Sequence, residues 1–297
     1  MQTSAFQFLL DSQGLIRITG PDAEKFLQGQ LTCDVREVKQ SLSRLGAHCD
    51  HKGRVQATFR LFTDAENFYM QLPRSVIPHL MQCLQKYAIF SKVTLTDVSD
   101  QWQQIGICGE IAVLEDYLKF SLSNETDQVV IANNIFILKI PGINRFCLLT
   151  SNTLSINSLP QQPESAWQLL DIEAGIPTIF PETIGLFTPQ QINFPAINGV
   201  SFTKGCYTGQ EIVARMHYLG KTKQRMYRIS FTSSQPPVPG TALMNQQEVG
   251  NVVQAITTGE NEFQGLAVIF DSALSGPIYL NTQENVILNI LDLPYLI

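Results

Sequence analysis

Lys204-Gly205-Cys206-Tyr207-Thr208-Gly209-Gln210-Glu211 sets a thiol beside a lysine, just ahead of a segment patterned as a helix. Thr208 is the expected N-cap, and Glu211, three residues on, completes a capping box. Ile212, Val213, Ala214, Met216 and Leu219 follow at helical spacing, with Gly220 as the stop. Cys206 therefore falls near the positive end of a helix dipole, and Lys204 adds a second positive charge. Both favour thiolate over thiol. The bland alternative is a small buried thiol that packs as a hydrophobe. Two glycines, a lysine and a cap around Cys206 favour the reactive reading.

The longer run Phe202 to Arg225, FTKGCYTGQEIVARMHYLGKTKQR, resembles the signature of the YgfZ family, folate-binding proteins related to the aminomethyltransferase (T-protein) of glycine cleavage. Two more segments resemble that family, in its order. One is Phe26 to Val35, FLQGQLTCDV, followed by Cys49 to Val55, CDHKGRV. The other is Leu170 to Pro177, LDIEAGIP, leading to Pro189 and Asn193. The resemblance implies an α+β fold: a three-part, ring-shaped T-protein-like body of mixed sheets and helices around a folate site, with a C-terminal all-β barrel. It also implies tetrahydrofolate as the cofactor, and a cytoplasmic accessory role in assembly or repair of iron–sulfur enzymes, including those that methylthiolate tRNA. The expected partners are iron–sulfur enzymes or cluster-assembly proteins.

Composition agrees with this without producing it. At 297 residues the chain is long for one hydrophobic core, and 44% apolar with 15% charged residues is ordinary for a globular protein. The start lacks a basic stretch followed by a long apolar one, and no apolar run approaches the ~18 residues of a membrane span. No membrane association is expected. The six cysteines, 33, 49, 83, 108, 147 and 206, form no C-x-x-C pair, so reduced thiols and no metal site are expected, the weak pair Cys49 and His51 included.

Charge is unevenly placed. The net charge is −6, yet the last 69 residues hold no Lys or Arg and six acids, Glu248, Glu260, Glu262, Asp271, Glu284 and Asp292. A compositional boundary therefore falls near Arg228. Just before it lies a basic rim, Lys204, Arg215, Lys221, Lys223, Arg225 and Arg228 against Glu211 alone. Such a rim attracts a folate polyglutamate tail or makes a weak tRNA contact; a solvated loop face is the plain alternative.

Periodicity predicts strands at 14–19, 54–62, 67–72, 92–98, 104–108, 129–132, 135–140 and 145–150, and helices at Pro21–Leu27 and Ser75–Tyr87. A polar connection, Ser155 to Pro163, precedes a helix over Glu164–Ala174 ended by Gly175. Strand-like segments at 226–232, 247–257, 262–270 and 286–293 recur between turns, as in a small barrel. The expected domains are 1–160, an α+β folate-binding body; 161–225, its continuation; and 226–297, the barrel.

A pterin presents an amine and a ring N–H side by side, and a carboxylate accepts both. Glu173 is the candidate: it sits at a helix C-terminus, where an anion gains nothing from the dipole, and a glutamate at the matching place binds pterin in the related aminomethyltransferases. Asp171 is the lesser alternative. Lys52, Arg54, Tyr207, Gln210 and Arg215 complete the expected folate set, with Cys206 and Lys204 as reactive thiol and activating cation. The aminomethyltransferases carry an acidic pair beyond the glycine aligned with Gly53, where this chain has Ala57 and Thr58. Neither can serve as acid or base, which favours a binding protein over a classical catalyst. The rival readings are a folate-dependent one-carbon transferase and an RNA-binding factor.

Overall fold

In the computed structural model, residues 5–152, 159–220, 222–282 and 286–297 are described. The expected connection Ser155 to Pro163 lies partly outside them. Two interleaved compact units divide the chain: Met1–Gln28, Asp34–Leu45 and Phe59–Trp167 in the first, Gly29–Cys33, Gly46–Thr58 and Gln168–Ile297 in the second.

The first unit holds a six-stranded sheet in the order Gln161–Gln162, Phe6–Leu9, Gln103–Cys108, Arg145–Thr150, Ile135–Ile140, Val129–Ala132. Alternate residues of its strands, Ile105 and Ile107, Ile135 and Ile137, Phe146 and Leu148, bury into one core with Leu114 of the helix Ile111–Leu118. Gly106 leaves room for Trp167, since a Cβ there would lie 2.5 Å from the indole. A five-stranded sheet runs Arg44–Cys49, Val55–Thr63, Phe68–Pro73, Gln13–Thr19, Thr94–Asp97.

The helix expected at Ser75–Tyr87 is Ile77–Ala88, because Pro78 fixes the first turn and a 3-10 turn, Arg74–Val76, takes up the residues before it. The strands Phe6–Leu9, Arg44–Cys49 and Ala242–Asn245 and the helix Ile111–Leu118 were not expected. Arg44–Cys49 is buried from Leu45 onward, so it shows no alternation to read.

The second unit ends in an antiparallel sheet in the order Tyr279–Leu280, Ala242–Asn245, Gln247–Gly259, Glu262–Phe270, Gln224–Thr232, Asn289–Leu291. Its edges are joined by one segment. Leu288 N donates to Ile278 O at 2.9 Å and Tyr279 bridges Ile287, while Asn289–Leu291 pairs with Arg228–Ser230. Register shifts at Leu243/Met244 and Val252/Gln254 curl the sheet as bulges do. Phe231, Val252, Phe263 and Leu280 fill the interior. This is the expected C-terminal barrel, and the fold is α+β with few helices. No helix among the described residues is long and apolar enough to cross a membrane.

Candidate functional site

The signature helix is Gln210–Tyr218, and its N-cap is Gly209, not Thr208; no side chain caps it. The expected capping box does not form. Thr208 instead donates its N–H to Gly29 O at 3.1 Å and its hydroxyl to Gln30 Oε1 at 3.2 Å. Gly209 has φ +82°, and a Cβ on it would stand 2.3 Å from Asp50 O, so close approach and the left-handed backbone both call for glycine. The expected apolar stripe is buried only at Val213, while Ile212 and Leu219 are 36% and 82% exposed.

Lys204 is buried. Its ammonium donates to Leu31 O at 2.6 Å and Cys33 O at 2.8 Å and lies 5.1 Å from the Tyr207 ring centroid. The carbonyls exist to receive it because Thr32 is tied on both sides: its hydroxyl donates to Gly199 O and accepts from Ala47 N. Cys206, two residues on, is the exposed one of the six cysteines. Tyr207 is buried, and its hydroxyl has no hydrogen-bond partner among the described residues. Burial, then the nearby Cys49, pushes its phenol up, and burial with Asp50 beyond it pushes the Cys49 thiol up.

The turn carrying Lys52 and Arg54 is folded by Asp50, whose Oδ1 accepts from both backbone N–H groups at 2.9 Å. Gly53 of this turn packs on the signature helix, with a virtual Cβ 3.2 Å from Ile212. Arg54 is half-buried and donates to Leu186 O at 2.7 Å. Lys52 is exposed, Gln210 half-buried and Arg215 exposed. Lys52, Gly53, Arg54, Lys204, Tyr207 and Gln210 thus come together through the turn, the Gly29–Cys33 segment and the helix start.

Glu173 ends the helix Glu164–Glu173. Gly175 follows at φ +65°, and Tyr295 Oη donates to its carbonyl at 2.7 Å. Glu173 is half-buried and, among the described residues, has no hydrogen-bond or ion-pair partner. A partly desolvated carboxylate with nothing to accept from, like a buried hydroxyl left alone, is a group that a ligand with N–H and oxygen functions can satisfy. Both suit the amine pair and carbonyl of a pterin. Thr58, at one of the two positions where the resemblance leads an acid to be expected, donates its hydroxyl to Pro177 O and accepts from Ile179 N, and Ala57 is fully buried.

The basic rim is thinner than its sequence. Lys204 is sequestered on carbonyls, Arg225 faces Asp271 at 3.5 Å, and Arg228 donates to Asp292 O and Gln264 Oε1. Lys221 lies outside the described residues. Arg215 and Lys223 are exposed and make no ion pair among the described residues. Sequence reasoning also missed a cavity of about 750 Å³ lined by His217, Lys223, Gln190, Met216 and Phe270 among others; Lys223 and Arg225 of the rim line it, and none of the expected folate set does. Its walls come from four separate segments, which no local pattern announces.

A family profile described as the GCVT N-terminal domain matches residues 2–143. The structure of the glycine cleavage system aminomethyltransferase T from Bartonella henselae superposes with a TM-score of 0.73 at 16% identity, covering 98% of this chain and 86% of that one. The fold is therefore that of the T-proteins. A tRNA-modifying protein YgfZ from Hamiltonella defensa is 38% identical over 81% of this chain and 74% of its own length. The YgfZ of Colwellia psychrerythraea is 35% identical over 76% and 72%. An uncharacterized protein of Haemophilus influenzae is 36% identical over 84% of each chain. The chain belongs to the family of tRNA-modifying YgfZ proteins.

Proposed function

We propose that this protein binds tetrahydrofolate and acts as a cytoplasmic accessory factor in assembly or repair of iron–sulfur enzymes, including those that modify tRNA. The observation that carries folate binding is the half-buried Glu173 carboxylate, which has no partner among the described residues and stands where the resemblance leads a pterin-binding glutamate to be expected. Folate would supply a planar donor-rich ring and an anionic tail. Glu173 accepts from the ring, the Tyr207 hydroxyl gains the partner it lacks, and Lys52 with Arg54 offers positive charge to the tail. Cys206 provides the one exposed thiol among the described residues, the group by which a client or cluster would be met. The names of the relatives support a role in tRNA modification, and Ala57 and Thr58 speak against aminomethyl transfer.

Titration of the purified protein with tetrahydrofolate, monitored calorimetrically, should saturate at one site, and Glu173→Ala should weaken it by at least about tenfold. Absence of saturable binding by the unaltered protein would end the folate reading. For the cellular role, Cys206→Ser at equal protein level should lower the activity of iron–sulfur tRNA-modifying enzymes.

A further inference from the structure

We propose that the cavity beside His217 receives a nucleobase from a single-stranded RNA segment. His217 stacks face to face on Phe202, with ring centroids 3.7 Å apart and planes within 12°, and Tyr218 meets His217 edge-on at 4.8 Å. Tyr218 is 66% exposed, so the aromatic ladder opens to solvent. His217 is at the same time a wall of the cavity of about 750 Å³, whose other walls include the apolar Pro195, Ala196, Met216 and Phe270. That space admits a planar heterocycle beside an aromatic wall, the arrangement by which proteins hold unpaired bases.

Two further observations select a nucleotide. Gln190 lines the cavity and is 8% exposed; its amide nitrogen donates to Val213 O at 2.7 Å, and its carbonyl oxygen has no partner among the described residues. A base amine or imino group can donate to it. Lys223, another wall of the cavity, is exposed and makes no ion pair among the described residues, and Arg215, on the helix that carries His217, is likewise exposed and without an ion pair there. These are the charges a phosphate backbone needs, with Glu211 the only acid of that helix. A pterin fits less well, because the cavity's carboxylate, Asp271, already accepts from Tyr227 Oη at 2.8 Å and faces Arg225. The site is thus separate from the one proposed for folate.

The test is fluorescence anisotropy with a short labelled single-stranded RNA, competed with the corresponding duplex, with adenosine monophosphate and with tetrahydrofolate. Saturable, salt-sensitive binding is expected, weakened about tenfold by His217→Ala and made less salt-dependent by Lys223→Glu. His217→Ala should bind tetrahydrofolate as the unaltered protein does, which keeps this result apart from the folate reading. Lys223 is exposed, so its variant remains informative should His217→Ala fold poorly. The proposal is overturned if the RNA does not bind, if neither substitution changes binding, or if tetrahydrofolate displaces the RNA. Displacement of the RNA by low concentrations of adenosine monophosphate, with duplex inert, would leave the cavity as a free-nucleotide site and would likewise overturn the RNA assignment.

Discussion

Gly209 and Asp50 approach so closely that a Cβ on the glycine would lie 2.3 Å from the Asp50 carbonyl oxygen. Two signature segments, distant in sequence, are locked at this point. Gly209→Ala must therefore separate the turn from the helix and also hold alanine at positive φ. A loss of about 2–4 kcal/mol is expected, read as a lowered urea midpoint with an unchanged slope.

Lys204→Met should be costly for a related reason. It leaves the carbonyls of Leu31 and Cys33 without their donor, in a buried setting where each unmet group costs about 1–3 kcal/mol. A drop in thermal midpoint that added salt does not relieve is expected. If Lys204→Met were as stable as the unaltered protein, the lysine would be acting through chemistry alone.

Tyr207→Phe separates stability from binding. The hydroxyl is buried without a partner among the described residues, so removing it should leave stability unchanged or raise it by up to about 1 kcal/mol. Tetrahydrofolate affinity should fall, since the ligand is what the hydroxyl awaits. Calorimetric titration and chemical denaturation of the same sample give both readings.

Cys206 should be the fast thiol. It is exposed, Cys83 half-buried and the other four cysteines buried, so a disulfide reagent should modify about one equivalent rapidly in the native state and the rest on denaturation. Mass spectrometry should place the first label on Cys206, and Cys206→Ser should abolish the fast phase.

Acid sensitivity should involve Asp34. Its carboxylate accepts from Arg36 Nη2 at 2.7 Å, Arg36 N at 3.1 Å and Gln28 Nε2 at 2.9 Å, and its pKa falls to about 2, with the Arg36 hydrogen bond as the main cause. A depressed carboxyl stabilises the folded state fully above its ordinary value of 3.8 and loses that contribution as pH falls toward 2. Asp34→Asn should flatten the stability curve over that window, leaving it unaltered near neutrality in shape and lowered by about 1–2 kcal/mol in height.

Much of the fold was readable along the chain. Ile135–Ile140 and Arg145–Thr150 match the expected strands, and the barrel was visible from its turns and from the loss of basic residues after Arg228. Helix starts were read less well. Thr208 looks like a cap by residue type, but its hydroxyl is drawn to Gln30, which lies 178 residues away.

What the sequence by itself determined was periodic structure, the family signature and the absence of acids at positions 57 and 58, because each depends on residues close together in the chain. Tertiary structure alone decided that Lys204 sits on carbonyls 171 and 173 residues away, that the Tyr207 hydroxyl and the Glu173 carboxylate are left without partners, and that the rim keeps Arg215 and Lys223 free of ion pairs among the described residues. Burial and pairing are set by which distant segments meet. Residue type fixes what a group can do, and the company it keeps in the fold fixes whether that capacity is already used.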